Sequence, residues 1–491
     1  MALLKKFASE TVFYGLGSVL PRVLLFAMTP FLTRYFDTSE YGIHAVMYSF
    51  TALLLVFFTY GMETALFRFG SLEGELNKVF TTAAISLLIT TIFFVGLLFV
   101  FSNQIAAFLE YPDDGRYVRW FAMITGLDAL AALPFAKLRL ENRPIRFAII
   151  KILNVAIQII LILFLLAGCP FLIDNGVEWV SNFYSDDKKL DFVFLANLVA
   201  SGVVFLVLFR NFFNFKWEFD SQLWRKMLNY SLPLIVVGVA SVINRQLDRI
   251  FLQKWLVEED ATNLTGIYAA NVKLAVLMSL FITAFNYAAE PFFFKNKDRK
   301  DSRDIYAKLG QAFSIVGSLV FLGIMLYIDL IQVLIGKDFR SGLGVVPILL
   351  LAYFGLGLFY NFSIWYKLTD RTRIGAWISI AGASITVLIN YFFIPTEGIM
   401  APAYAALACY IFMATVSYFI GKKYYPIDYP IGRMLGYIFT AVGFYLLSTW
   451  IRPFLDENIL KILSVNTLLF LSYLGGFYLI EKKQIKELMN A

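Results

Sequence analysis

Apolar residues in this chain come in blocks of about 20, separated by short polar stretches. A helix of that length crosses a hydrocarbon core of about 30 Å. The pattern therefore predicts an all-α polytopic membrane protein with about 14 transmembrane helices. The predicted spans are 11–33, 44–67, 79–101, 117–138, 147–167, 191–210, 230–252, 266–292, 309–335, 344–367, 374–394, 400–420, 432–451 and 460–480.

Composition agrees with this interpretation. Hydrophobic residues make up 59% of the 491 positions and charged residues only 16%, against about 25% in soluble domains. The aromatic share of 18% suits lipid-facing surfaces and interfacial belts. All connections are short, and the longest runs from Cys169 to Asp191. No soluble domain is predicted.

Loop charges predict the orientation of the spans. Lysine and arginine concentrate in alternate loops, such as 137–146 and 295–308, whereas Glu110–Asp114 and Glu258–Asp260 are acidic. Short cytoplasmic loops carry the excess of cations in membrane proteins. Both termini are therefore predicted to be cytoplasmic, with an even number of spans. Since orientation explains the net charge of +7, no nucleic-acid partner is predicted.

The chain also contains an internal repeat. Phe31–Phe36 followed by Gly42-Ile-His-Ala45 is echoed by Phe251–Leu256 followed by Gly266-Ile-Tyr-Ala269. The next helix end repeats as well, because Glu63-Thr-Ala-Leu-Phe-Arg68 matches Glu290-Pro-Phe-Phe-Phe-Lys295. Matches in register across two helices indicate duplicated halves.

The repeat predicts the domain organisation. Each half contains an even number of helices, so both halves have the same orientation and face each other across a central cavity. We expect a first six-helix lobe over residues 1–211 and a second over 212–422. Residues 423–491 supply two further helices and a cytoplasmic tail.

Several short motifs point to a family. Phe13-Tyr-Gly-Leu-Gly-Ser18, Phe36-Asp-Thr-Ser-Glu-Tyr-Gly42 and Asn244-Arg-Gln-Leu-Asp-Arg249, with Gly266-Ile-Tyr268, resemble the polysaccharide-transporter (Wzx-like) flippases. These belong to the superfamily that contains MATE exporters and the lipid II flippase MurJ. The resemblance is clearest over residues 8–75 and 230–295.

The resemblance implies a function and a location. Family members move undecaprenyl-diphosphate-linked oligosaccharides from the inner to the outer leaflet by alternating access, in the bacterial inner membrane. It implies a lipid-linked oligosaccharide and the phospholipid bilayer as partners, with glycan polymerases or assembly enzymes acting beside it. No cofactor is expected, and a coupling ion would be H⁺ or Na⁺.

Cations inside predicted spans are candidates for binding the diphosphate, because buried charges are costly and usually functional. Arg22 lies near the middle of the first span, and a guanidinium engages phosphate oxygens bidentately; the alternative is an interfacial arginine that reaches a lipid head group. Arg245, Asp248 and Arg249 have the spacing of one helix face, where Asp248 would either neutralise one arginine as an internal structural pair or act in gating or coupling. The resemblance adds Lys273, early in the eighth span; an alternative for Lys273 is contact with lipid head groups.

Three other carboxylates are candidates for gating or coupling. Glu63 and Glu290 occupy matching helix ends, just before Arg68 and Lys295, and would form inner-side ion pairs or merely balance charge locally. Asp128 lies within the fourth span, where protonation or ion pairing would couple transport to an ion gradient. Buried amides are predicted to hydrogen-bond between helices: Asn154, Gln158, Asn197, Asn361 and Asn390.

Two other functions remain open. A MATE-like exporter of organic cations would need acidic groups in the first lobe, where the first helix offers only Arg22. A membrane polymerase or ligase for glycans would need a large outer loop with catalytic residues, which the chain lacks. A single histidine, His44, two distant cysteines and no Walker A sequence predict neither a metal site nor ATP hydrolysis.

Overall fold

The computed structural model describes residues 17, 19–72, 76–213, 218–257, 260–295, 299, 301–456 and 458–489. Every regular element in these ranges is helical. The helices before the second sequence repeat are α1 (19–27), α2 (Thr29–Tyr35), α3 (Thr38–Thr59), α4 (Met62–Leu72), α5 (Leu76–Val100), α6 (Ser102–Phe108), α7 (Gly115–Leu140), α8 (Pro144–Leu163), α9 (Cys169–Asp174) and α10 (Lys189–Phe213).

The remaining helices continue in the same style, with long helices joined by short turns. They are α11 (Ser221–Ile243), α12 (Asp248–Trp255), α13 (Ala261–Lys295), α14 (Ser302–Leu326), α15 (Ile328–Ile331), α16 (Val345–Phe362), α17 (Ile364–Leu368), α18 (Thr372–Glu397), α19 (Ala401–Tyr424), α20 (Ile431–Ile451) and α21 (Ile459–Met489). The predicted all-α polytopic architecture is confirmed.

The described residues contain 12 segments that are long and apolar enough to cross a membrane. One of these, Thr372–Tyr424, holds both α18 and α19, and most of the predicted first span lies outside the described residues. The count of fourteen is therefore approximate. Side chains such as Val100, Leu460 and Trp450 are 68–72% exposed, which suits contact with lipid rather than water.

Local sequence explains where the second span begins and ends. Asp37 caps α3: its carboxylate accepts from the Glu40 backbone N–H (2.7 Å), and the Glu40 side chain accepts from the Asp37 N–H (3.1 Å). Tyr60 and Gly61 have φ of 33° and 72°, which ends the helix before α4. The predicted span over 44–67 is therefore divided into α3 and α4.

The predicted seventh span is also divided. We expected one helix over 230–252, but α11 ends at Ile243 and α12 begins at Asp248. Residues 244–247 form turns between the two helices. The Asn244 side chain lies within this segment and bonds the Ser379 carbonyl (3.3 Å) and the Thr386 hydroxyl (3.0 Å). These contacts with α18 come from distant sequence, so periodicity alone does not reveal the break.

The chain forms two compact units. One comprises residues 1–270 and 379–405, and the other 271–378 and 406–491. The core of the first includes Phe80, Leu133 and Met227, all fully buried. In the second, Phe313 and Trp365 are fully buried, and α14 packs against α16, α20 and α21. The division predicted from the repeat, into lobes 1–211 and 212–422 with 423–491 as two further helices and a tail, stays a prediction.

Candidate functional site

Two of the predicted substrate-binding arginines are exposed. Arg22 lies on α1. Arg245 lies in the turn between α11 and α12, where its guanidinium donates to the carbonyl and the hydroxyl of Ser241, one turn earlier. The carbonyl contact is 3.3 Å. Both cations thus keep an accessible side chain, as a phosphate-binding role requires, and that role stays a prediction.

Arg249, by contrast, is engaged inside the first unit. Its guanidinium lies 2.8 Å from an Asp248 carboxylate oxygen, and the two side chains are only 12% and 18% exposed. Tyr268 on α13 donates to the other Asp248 oxygen at 2.8 Å. The helix break at 244–247 separates Arg245 from this pair, so the three residues do not share one continuous helix face. The charges of Arg249 and Asp248 balance each other.

The other predicted cation, Lys273, is half-buried on α13, in the second unit. Its substrate role stays a prediction. The side chain of Glu290 lies outside the described residues, and so does that of Lys295. The inner-side ion pair expected between them is therefore untested.

Glu63 has a partner that the sequence did not indicate. Its carboxylate pairs with the Arg139 guanidinium at the end of α7, and both side chains are more than a third exposed. Arg139 also lies 4.5 Å from the centre of the Phe67 ring. Arg68, the expected partner, instead lies 4.3 Å from the centre of the Tyr230 ring. The neighbouring helix thus supplies Glu63 with a cation, and the local pairing of Glu63 with Arg68 stays a prediction.

Asp128 lies in a charged and polar region of the first unit. It accepts a hydrogen bond from Ser201 on α10, and the charge of Lys151 on α8 acts on it. The Lys151 ammonium lies 4.0 Å from the centre of the Phe135 ring. Sequence reasoning missed Lys151, although a single lysine in the apolar run of the fifth span is a visible signal.

Two of the predicted amides converge on one hydroxyl. The Gln158 and Asn197 side chains donate to the Tyr48 hydroxyl oxygen at 3.2 and 2.9 Å, linking α8 and α10 to α3. This confirms the predicted interhelical bonds for these two residues. Asn361 and Asn390 instead donate to carbonyls one turn earlier in their own helices, at 2.9 and 2.7 Å.

A cavity of about 290 Å³ lies between α20 and α21 in the second unit. It is lined by Arg433, Gly436, Tyr437, Thr440, Phe444, Ser472, Tyr473, Gly476 and Phe477. Glu481, which accepts a hydrogen bond from Tyr437, is only 2% exposed. Gln311 on α14 donates to the Tyr437 hydroxyl at 3.0 Å. These polar contacts hold the last two helices against α14.

The fold is shared with solved membrane transporters. A structure of the lipid II flippase MurJ in an inward closed conformation is 15% identical and matches 95% of this chain and 99% of its own, with a TM-score of 0.73. An inward-facing MATE family multidrug resistance transporter is 12% identical. The match covers 84% of this chain and 94% of that chain, with a TM-score of 0.63. The MATE multidrug transporter DinF-BH is 14% identical. The match covers 86% of this chain and 96% of that chain, with a TM-score of 0.58. The chain is therefore a multi-helix membrane protein with the MurJ and MATE fold.

Sequence comparison adds a narrower similarity, to polysaccharide biosynthesis proteins. Two protein-family sequence models, both described as polysaccharide biosynthesis protein, match this chain: one over residues 31–171 and the other over residues 190–297. The Lsg locus putative protein 1 of Haemophilus influenzae is 22% identical over 301 residues, which are 60% of this chain and 68% of that protein. The resemblance to polysaccharide transporters is thereby confirmed, and it extends over both sequence repeats.

Proposed function

We propose that this protein is a flippase that carries an undecaprenyl-diphosphate-linked oligosaccharide from the inner to the outer leaflet by alternating access. The observation that carries the proposal is the match of polysaccharide biosynthesis models to both repeats of a chain with the MurJ fold. The MurJ structure also matches about a tenth more of this chain than the MATE structures do. The additional matched length is similar to the length of the hairpin formed by α20 and α21, and a cavity lies between these two helices.

Arg22 and Arg245 supply the binding of the diphosphate in this proposal. Both are exposed, and a guanidinium matches the geometry of phosphate oxygens with two parallel hydrogen bonds. Arg249 contributes less, because Asp248 already neutralises it. Lys273 adds a second-lobe cation when the lobes 1–211 and 212–422 surround the substrate.

The lipid tail occupies the cavity between α20 and α21. Phe444, Tyr473 and Phe477 provide apolar walls, and a Cβ placed on Gly436 or Gly476 would meet no other atom within 4 Å. The glycines therefore leave free width for an isoprenoid chain. The tail comes from the lipid and not from water, so its contacts with these walls contribute van der Waals packing and not a hydrophobic gain.

Asp128 is the coupling group in this proposal. Its carboxylate interacts with two different groups in the first lobe, the Ser201 hydroxyl and the Lys151 ammonium. Binding of H⁺ or Na⁺ at Asp128 would release Lys151 from its charge and change the balance between two conformations. Glu63 stays a gating candidate, although its partner Arg139 belongs to the same predicted lobe.

The second candidate function is export of organic cations. The structural likeness to the multidrug transporter DinF-BH favours it. Asp128 would then bind the cation directly. The exposed arginines Arg22 and Arg245 oppose this function, because they would repel a cationic substrate.

Leaflet transfer in sealed proteoliposomes tests the proposal. We would follow a fluorescent undecaprenyl-diphosphate oligosaccharide with wild type, Arg22→Ala and Arg245→Ala. Arg299→Ala is the matched control, since it removes an exposed arginine that pairs with Asp301 at 2.8 Å. We expect transfer by wild type and the control, and a loss of at least tenfold in the other two.

The outcomes separate the hypotheses. Transfer that survives both Arg22→Ala and Arg245→Ala would keep the flippase and refute the assigned diphosphate site. Absence of transfer together with uptake of an organic cation would favour the exporter.

A further inference from the structure

Two glycines bring α3 and α13 into backbone contact. A Cβ on Gly42 would lie 2.2 Å from the Thr262 carbonyl oxygen and 3.2 Å from the Gly266 nitrogen. A Cβ on Gly266 would lie 1.8 Å from the Thr38 carbonyl oxygen and 2.9 Å from the Gly42 nitrogen. Backbone atoms cannot rotate away as a side chain does, so any larger residue would force the two helices apart.

This contact joins matching positions of the internal repeat. Gly42 begins Gly-Ile-His-Ala and Gly266 begins Gly-Ile-Tyr-Ala, and Thr38 and Thr262 each stand four residues earlier. Each glycine touches the threonine carbonyl of the other repeat. The glycine of the first repeat contacts the threonine of the second, and the glycine of the second contacts the threonine of the first. A contact that is reciprocal in this way lies on the pseudo-two-fold axis that relates the repeats.

Two polar contacts between described residues lie close to the glycines in sequence. The Thr38 hydroxyl donates to Asn263 at 2.7 Å, and Lys254 pairs with Glu110 at 2.7 Å with side chains 27% and 49% exposed. A surface ion pair of this kind contributes little stability. Neither of these two polar contacts would cost much to break, which leaves close backbone packing as the main feature of the contact.

Buried polar atoms at the contact lack partners among the described residues. Gln253 is 6% exposed and donates to the Thr262 hydroxyl at 3.0 Å, yet its carbonyl oxygen accepts no bond there. Thr265, next to Gly266, is fully buried with an unpartnered hydroxyl. Unsatisfied buried groups raise the free energy of the closed contact. Separation that exposes Gln253 to water would offset part of the lost packing.

We propose that the Gly42–Gly266 contact is the outer gate of the transport cycle, an inference that rests on the proposed function. The loop charges predict that Phe36–Gly42 and Glu258–Asp260 lie on the outer side of the membrane. The contact sits where the two repeats meet at that side, and it closes the outer exit. It opens as the repeats rock apart to release the substrate.

Cysteine accessibility tests the gate without any transported substrate. In a background where Cys169 and Cys409 are replaced by Ser, Gln253→Cys reports on the buried side of the contact. A membrane-impermeant maleimide is applied from outside to cells. We expect labelling at least tenfold faster when Gly42→Ala or Gly266→Ala is added, because the added methyl group holds the helices apart.

Gly202→Ala is the matched control. Gly202 lies within α10, and a Cβ there would meet no other atom within 4 Å. It makes the same chemical change without a steric effect, so labelling should stay at the wild-type rate. Equal labelling in all three glycine variants, in protein that elutes as a single species, would overturn the proposal.

A cross-link tests the gate with both glycines intact. Thr38→Cys with Asn263→Cys replaces the pair whose side chains already touch. Oxidation should reduce leaflet transfer at least tenfold, and reductant should restore it; full transfer by oxidised protein would refute the gate.

If labelling responds as expected while no lipid-linked oligosaccharide moves with any variant, the gate stands and the proposed substrate fails. If transfer occurs but neither the labelling nor the cross-link has an effect, the flippase stands and the gate fails.

Discussion

Replacing Asp248 by Asn should destabilise the protein more than any surface substitution, because it leaves a charge buried without its partner. The Arg249 guanidinium is 2.8 Å from Asp248, and its side chain is only 12% exposed. Asp248→Asn removes the negative charge but keeps an oxygen that can accept from Tyr268. The experiment therefore isolates the charge from the hydrogen bond.

The magnitude follows from burial. Breaking a buried ion pair by removing one partner costs about 3–5 kcal/mol. Asp248 is 18% exposed and water reaches part of the pair, so we expect the lower end, about 3 kcal/mol. Tyr268→Phe deletes the 2.8 Å hydrogen bond to the same carboxylate and should cost about 1.5–3 kcal/mol, since the acceptor is charged.

Thermal unfolding in detergent, followed by size-exclusion chromatography of heated samples, measures these effects. The double variant Asp248→Asn with Arg249→Leu removes both charges, keeps an acceptor for Tyr268, and should recover most of the stability that Asp248→Asn alone loses. A wild-type Tm for Asp248→Asn would refute the reasoning, and so would a double variant as unstable as the sum of its two single substitutions.

The remaining predictions concern three other contacts. Glu63→Gln should change the free energy of unfolding by only about 0–1 kcal/mol, because its ion pair with Arg139 is more than a third exposed; a large fall in Tm would contradict this. Tyr48→Phe should cost about 1 kcal/mol by removing an acceptor shared by two amides, measured against Tyr478→Phe at a half-exposed position. Gly476→Leu should fill the α20–α21 cavity and slow transfer of long-chain polyprenyl substrates more than short-chain ones; equal slowing would argue against a tail site.

Features that depend on neighbours in sequence were predictable. Spans follow from the length of apolar blocks, and orientation was inferred from cations in short loops, because both reflect the local transfer of residues between water and lipid. The start of the second span was missed by several residues, although Asp37 with Glu40 three positions later is a visible capping signal. The repeat and the family resemblance were also readable from residue order alone.

Features that depend on partners distant in sequence needed the tertiary structure. Glu63 pairs with Arg139 on α7, and the charge of Lys151 acts on Asp128, because helix packing decides which charges meet. The turn at 244–247 is held partly by contacts of Asn244 with α18. Sequence could show that Gly42 and Gly266 match, but not that they touch. Matching residues meet only when two repeats pack about an axis that passes between them, and that packing is a property of the folded chain.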